Sequence, residues 1–114
     1  MKKNLPKLMK KRKVKTPMVH AISESYQTPS PYGNVLIMSP WNYPVLLSLD
    51  PLIDALAAGN TVILKPSSYA PATAMVLKKM LEDCFEPELV TVVTGGRKEN
   101  QALLEQRFLF QFPK

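Results

Sequence analysis

Two rhythms of apolar positions alternate along this chain. Residues 35–38 form a short, uninterrupted apolar run behind Gly33-Asn34, and residues 61–64 and 89–93, rich in branched residues, read as a second and a third strand. Short, branched, unbroken runs are the pattern of parallel strands buried on both faces. Between them the spacing becomes helical. In residues 44–58, Leu46, Leu49, Leu52, Ile53, Leu56 and Ala57 share a side. Pro51 has no N–H and should kink or restart that helix, and Gly59-Asn60 is a stop signal. In residues 71–85, Pro71 suits the first turn, and Met75, Leu77, Met80, Leu81 and Cys84 are the candidates for buried contact. Residues 100–106 read as a polar-faced helix and residues 108–112 as the start of a fourth strand. This alternation predicts an α/β fold with a parallel sheet and right-handed crossovers.

Residues 14–32 have a different texture, rich in Thr, Ser and Pro with branched or aromatic residues between. Val14, Met18, His20 and Ile22 share one parity and are expected on one face of a strand. Pro29 and Pro31 stop pairing. Two extended segments follow from this, an arm that pairs outside the main core. The expected organisation is a basic link over residues 1–15, an extended arm over 16–32 and an α/β domain over 33–114.

Charge separates the same regions. The net charge is +6, yet residues 1–15 hold eight basic side chains and no acidic one, and the remainder holds seven basic and nine acidic. The basicity belongs to the arm. A basic arm can meet nucleic acid or an anionic membrane surface, but this one has no aromatic residue to stack on bases, and no nucleic-acid module is present in the sequence. A solvated helix end with Leu5, Leu8 and Met9 as a short stripe is the preferred reading, and no nucleic-acid partner is expected. No apolar stretch follows the charges as in a secretory signal, and none is long enough to span a bilayer. The single cysteine makes no internal disulfide, which fits a reducing, cytoplasmic setting.

In a parallel sheet, loops at the carboxyl ends of the strands make the binding crevice. Three such ends occur here, residues 39–43, 65–68 and 94–97. Asn42 offers an amide donor to a developing oxyanion. Lys65 offers a charge and three donors to ribose hydroxyls or phosphate. Gly95 and Gly96 allow close approach to the backbone. Neither G-x-G-x-x-G nor a P-loop pattern is present, and no metal-ligand cluster can be read.

Taken together these residues are more specific than singly. PYGNVLIMSPWNYP, PLIDALAAGNTVILKPSS, PATA, ELVTVVTGG and ALLEQRF, in that order and spacing, resemble aldehyde dehydrogenases of the class 3 and fatty-aldehyde type, and KKRKVKTP resembles the basic link before that group's oligomerisation arm. The resemblance covers nearly the whole chain. It implies the parallel-sheet half of a Rossmann-like NAD(P)-binding domain preceded by an extended β arm. It implies NAD or NADP as cofactor, an aldehyde as substrate and a homo-oligomer formed through the arm. By the same resemblance, Asn42 supports the oxyanion; Ser39, Pro40 and Trp41 form the cofactor-facing turn; Lys65, Pro66 and Ser67 contact or shape the adenosine ribose site; and Gly95 and Gly96 lie near the adenine.

The departures are equally specific. Such sequences usually carry Glu after KPS, and here the residue is Ser68, which can hydrogen-bond but lacks the charge. Asp50 and Asp54 stand where Gln and Gly are common. The thiol nucleophile and the glutamate base of the family match nothing here. Cys84 lies beside Glu82, Asp83 and Glu86, where acidic neighbours disfavour a thiolate, and reads as a small buried or half-buried side chain. His20 reads as a lone surface histidine. The expectation is a truncated aldehyde dehydrogenase chain, inactive alone and weak in cofactor binding. The alternative is a non-enzymatic protein that pairs with full-length subunits.

Overall fold

The computed structural model describes residues 4–18, 23–108 and 110–112 of the 114. The chain divides into two units, Met1–Pro31 and Tyr32–Lys114.

In the first unit, a single helical turn, α1 (Leu5–Leu8), has Pro6 in its first turn, where the missing N–H costs no hydrogen bond. Strands β1 (Arg12–Val14) and β2 (Ser25–Gln27) pair antiparallel, with Lys13 opposite Tyr26. Lys13 Nζ lies 2.5 Å from Glu24 Oε1, and the Tyr26 hydroxyl donates to the same carboxylate. The expected strand face is only partly present. Val14 is half-buried, but Met18, beyond the end of β1 at Val14, is exposed. His20 and Ile22 lie outside the described residues.

The second unit runs β3 (Asn34–Met38), α2 (Leu46–Ala57), β4 (Thr61–Lys65), α3 (Pro71–Cys84), β5 (Val90–Val92), α4 (Arg97–Leu104) and β6 (Phe110–Phe112). The sheet order is β5-β4-β3-β6, and every pair is parallel. Register puts Val35, Val62 and Val90 in one row and Ile37, Leu64 and Val92 in the next. These six join Leu52 and Ala55 of α2 and Leu81 of α3 in one buried cluster, so both helices pack on the same side of the sheet. Each fully buried branched side chain there stabilises the fold by about 1.5–3 kcal/mol. On the other side Leu36 is buried, while its row mates Ile63 and Thr91 are half-buried. Burial on both faces therefore holds for β3 and weakens toward the β5 edge.

The helix stripes differ from the apolar spacing alone. In α2 the buried stripe is Ser48, Leu52 and Ala55; Leu46 and Ile53 lie off it and are exposed. Pro51 sits inside one uninterrupted helix. In α3 the stripe is Ala74, Leu77 and Leu81, at spacings of three and four, which leaves Met75 and Met80 exposed. Cys84 is exposed as well, at the last helical residue, rather than buried.

The end of α2 is closed by a Schellman motif. The Asn60 N–H donates to the Ala55 carbonyl at 3.1 Å and the Gly59 N–H to that of Leu56 at 3.0 Å, with Gly59 at a φ of 86°. The Asn60 side chain adds a clamp. Its Nδ2 donates to the same Ala55 carbonyl, and its Oδ1 accepts the Gly33 N–H at 2.9 Å, tying the helix end to the start of β3.

Candidate functional site

The chain steps from β3 to β4 to β5 on one side, then returns to place β6 on the other side of β3. That reversal opens a crevice beyond the carboxyl ends of the strands, the usual ligand position in open α/β sheets. β3 ends at Met38 and β4 at Lys65. The two ends are joined beyond the ladder by the Ser39 N–H, which donates to the Lys65 carbonyl at 3.1 Å.

The loop from Ser39 to Pro44 is anchored by buried hydroxyls. Ser48 Oγ lies 2.7 Å from Ser39 Oγ and 2.6 Å from the Pro44 carbonyl. A carbonyl only accepts and Ser48 has one proton, so that proton goes to Pro44, and Ser39 supplies the proton of the serine pair. Between these anchors the chain is tight. Tyr43 adopts a φ of 49°, and its carbonyl accepts the Leu47 N–H at 3.0 Å. Trp41, Asn42 and Tyr43 are thereby left exposed at the loop tip.

Lys65, the last residue of β4, is only 2% exposed, and its Nζ donates to the Pro66 carbonyl at 2.7 Å. Ser67 Oγ accepts the Tyr69 N–H at 3.2 Å, bending the chain toward the first turn of α3. Ser68 and Tyr69 are exposed.

A cleft of about 340 Å³ lies between these two loops, lined by Met38, Ser39, Pro40, Trp41, Lys65, Pro66, Ser67, Ser68, Tyr69 and Asn100. Six of the residues singled out from sequence, Ser39, Pro40, Trp41, Lys65, Pro66 and Ser67, meet in it. Asn42 is not among its walls. Gly95 and Gly96 are not either; they lie between β5 and α4. Gly95 has a φ of 142°, and a Cβ there would fall 2.5 Å from Glu99 Cγ and Cδ. Glu99 Oε2 accepts the Gly96 N–H at 2.7 Å, closing the first turn of α4. Hydrogen bonds from the backbone of Glu99 itself and of Gly96, helped by the charges of Lys65 and Lys98, hold the Glu99 carboxyl below its ordinary pKa.

Sequence reading missed Asn100. Its Oδ1 is buried with no hydrogen-bond partner and it borders the cleft. A buried amide oxygen without a donor is an open acceptor. Its only sequence signal was a polar residue one turn into α4, too common to single out. Cys84 contributes nothing to the cleft, and His20 lies outside the described residues. Among the described residues no group of His, Cys, Asp and Glu is placed to hold a metal ion, and no helix is long and apolar enough to cross a membrane.

A family model described as "Aldehyde dehydrogenase family" matches residues 3–109. An aldehyde dehydrogenase from Craterostigma plantagineum is 47% identical over 106 residues, 93% of this chain and 22% of that protein. The substrate-bound structure of Staphylococcus aureus AldH superimposes with a TM-score of 0.86 at 42% identity, over 90% of this chain and 22% of that one. A Mycobacterium tuberculosis aldehyde dehydrogenase complexed with NAD+ gives a TM-score of 0.72 at 29% identity, over 89% of this chain and 20% of that one. The chain thus spans about a fifth of the length of the proteins it matches.

Proposed function

The chain belongs to the aldehyde dehydrogenase family, and from that premise we propose that it supplies part of the cofactor site for NAD(P)-dependent oxidation of an aldehyde to a carboxylic acid. The observation that carries this reading is the cleft beyond β3 and β4. It combines a buried ammonium, serine hydroxyls, an indole and an amide oxygen that lacks a donor. That set suits a nucleotide, whose phosphates and ribose take donors and whose adenine and hydroxyls can give one. The volume is at the small end for ligand pockets and suits one portion of a dinucleotide rather than the whole.

In this reading Lys65 binds the ribose or its phosphate, Pro66 and Ser67 shape the loop, and Ser39, Pro40 and Trp41 form the facing wall. Asn42 supports an oxyanion from the exposed tip of the same loop. Gly95 and Gly96 act indirectly, by setting the start of α4 and hence the position of Asn100. A bound nicotinamide would accept hydride from the substrate; the residues here bind and orient it. Within these 114 residues the only thiol is that of Cys84, outside the cleft, so thiolate attack on an aldehyde is not assigned to this chain.

The test is calorimetric titration of the chain with NAD and NADP. Lys65→Met keeps the length of the buried side chain and removes its charge. Loss of about ten-fold or more in affinity, with an unchanged far-UV dichroism spectrum, is the expected result, since a hydrogen bond to a charged group is worth about 1.5–3 kcal/mol. Unaltered binding to the folded variant would remove Lys65 from the site.

A further inference from the structure

Independently of the cofactor cleft, we propose that Thr28 is a phosphorylation site, modified by a proline-directed protein kinase with ATP, and that Arg12 receives the phosphate.

Four of the eleven prolines follow Ser or Thr, in Thr16-Pro17, Thr28-Pro29, Ser30-Pro31 and Ser39-Pro40. Such a dipeptide presents its hydroxyl from extended backbone, because the proline ring bars the preceding residue from the helical region. A kinase cleft that takes proline after the acceptor uses that shape and needs no N–H from the proline. The fold sorts the four. Thr16 is half-buried, and its Oγ1 donates to Ser25 Oγ at 3.1 Å. Ser39 is 4% exposed and hydrogen-bonded to Ser48. Thr28 and Ser30 are both exposed, in a stretch beyond β2 that is neither helix nor strand.

Thr28 differs from Ser30 in what stands beside it. The register pairs Arg12 of β1 with Gln27 of β2, and Thr28 comes next in the chain. Arg12, Gln27, Thr28 and Pro29 line one shallow pocket with Leu8, about 280 Å³ in volume and without an acidic wall. Residues 1–31 hold eight basic side chains and one acidic, Glu24, and Glu24 is engaged by Lys13 and the Tyr26 hydroxyl. The Arg12 guanidinium therefore meets no carboxylate in this pocket. A phosphate on Thr28 brings about −1.5 to −2 charge at neutral pH and three acceptor oxygens. The planar fork of the guanidinium matches two of those oxygens. The pair ties the segment after β2 to β1 and offsets part of the positive excess of this unit.

The transfer itself follows ordinary kinase chemistry. Thr28 Oγ1 bonds to the γ-phosphorus of ATP as the bond from that phosphorus to the β,γ-bridging oxygen breaks. ADP leaves with the electron pair, and the hydroxyl proton passes to the catalytic aspartate of the kinase.

The experiment treats the 114-residue chain with ATP and a proline-directed kinase of the mitogen-activated class, and maps the phosphate by mass spectrometry. Thr28 is expected to be modified, and Thr16 and Ser39 at least ten-fold more slowly. In the unfolded chain, given to the kinase as short peptides, that difference between the dipeptides should vanish. Phosphorus NMR then titrates the Thr28 phosphate. Its second pKa, ordinarily about 6, is expected about 0.2–0.7 lower in the folded chain than in a phosphopeptide of residues 25–33, the size of an exposed charge pair. Arg12→Gln should return it to the peptide value, and Lys13→Gln, which removes the same charge from the cation held by Glu24, should move it less. A folded chain left bare at Thr28, or modified at Thr16 or Ser39 as fast, overturns the inference. So does a phosphate whose titration is the same in Arg12→Gln, or one that responds equally to both substitutions, since the general field of the basic segment then suffices without Arg12.

Discussion

Ser39 and Ser48 share a hydrogen bond of 2.7 Å although one follows the end of β3 and the other lies nine residues on, in α2, and both are at most 4% exposed. The pair fixes where the loop carrying Trp41 and Asn42 leaves the sheet and where it enters the helix. Ser48→Ala leaves the buried Ser39 hydroxyl and the Pro44 carbonyl without their partner. An unsatisfied buried polar group costs about 1–3 kcal/mol, and the loss in urea-denaturation stability is expected in that range. Replacing both serines by Ala should cost less than the sum of the single changes, because the orphaned hydroxyl is removed too. Strict additivity would show that the pair is not coupled.

Much of this architecture was legible in the chain. The runs around Val35, Val62 and Val90 are short and rich in branched residues, and three of them with helices between suit a parallel sheet. Gly59-Asn60 announced its cap because αL glycine after a helix has few rivals. The cleft was legible through residues of unusual type at strand ends, above all Lys65. What failed was the helix faces. Apolar identity placed Met75 and Met80 inside, whereas small Ala74 and polar Ser48 sit on the buried stripes, since close helix–sheet approach favours little side chains that hydropathy counts as neutral. Asn100 was invisible because an unsatisfied oxygen is a property of its surroundings and not of its sequence.

Gly95 and Gly96 should respond differently to alanine. At Gly95 the positive φ and a Cβ 2.5 Å from the Glu99 side chain act together, and the Glu99 carboxyl must leave the Gly96 N–H. A non-glycine residue in such backbone costs on the order of 1–3 kcal/mol. At Gly96 a Cβ meets nothing within 4 Å. Amide exchange through α4 should therefore accelerate strongly in Gly95→Ala and little in Gly96→Ala. Equal effects would mean that the loop relaxes around the added methyl.

The start of α4 should also depend on acid. The Glu99 carboxyl is held below its ordinary pKa, chiefly by backbone N–H groups. A carboxyl with a depressed folded pKa contributes stability above its unfolded pKa and loses it as pH falls through the folded value. Protection of the Gly96 amide is expected to persist at neutral pH and to fall on acidification below the ordinary carboxylate range. Glu99→Gln should remove the pH dependence while keeping part of the protection, because an amide oxygen still accepts. A Gly96 amide whose exchange, after correction for intrinsic rate, ignores pH would dismiss the capping role.

In the first unit, Glu24 is lowered by Lys13 first and by the Tyr26 hydroxyl second. All three groups are solvent-facing, so the pair adds little to stability and fades with salt. It should still be visible by NMR titration of the Glu24 side chain. The expected pKa is below the ordinary value, moving up in Lys13→Met and moving up less in Tyr26→Phe. The reverse ranking would make Tyr26 the principal partner.

Cys84 is exposed at the end of α3, outside the cleft. It should react with a thiol reagent in the folded chain, at a rate that denaturant changes little. Purified chain given aldehydes with NAD or NADP should generate no reduced cofactor, and Cys84→Ala should leave that null result unaltered. Turnover lost on this substitution would establish Cys84 as a nucleophile.

The loop tip is expected to govern association. Trp41, Tyr43, Val45 and Leu46 fall within six residues, and each is about half exposed or more. Exposed aromatic and branched residues this dense are more typical of contact surfaces than of a solvated loop. The sheet edges, β5 and β6, are only three residues long, which limits edge pairing as the competing cause. Trp41 is the sole tryptophan, so its emission reports on this loop alone. With rising concentration the chain is expected to self-associate in sedimentation, with Trp41 emission shifting to shorter wavelength as water leaves the indole. Leu46→Ser should weaken association, while Met75→Ser, on the exposed face of α3, should not. Addition of a longer family member should produce the same emission shift if the loop pairs with full-length subunits. A monomer whose Trp41 emission stays constant across a wide concentration range, with and without that addition, would show the loop to be solvated and leave Trp41 to the cleft it borders.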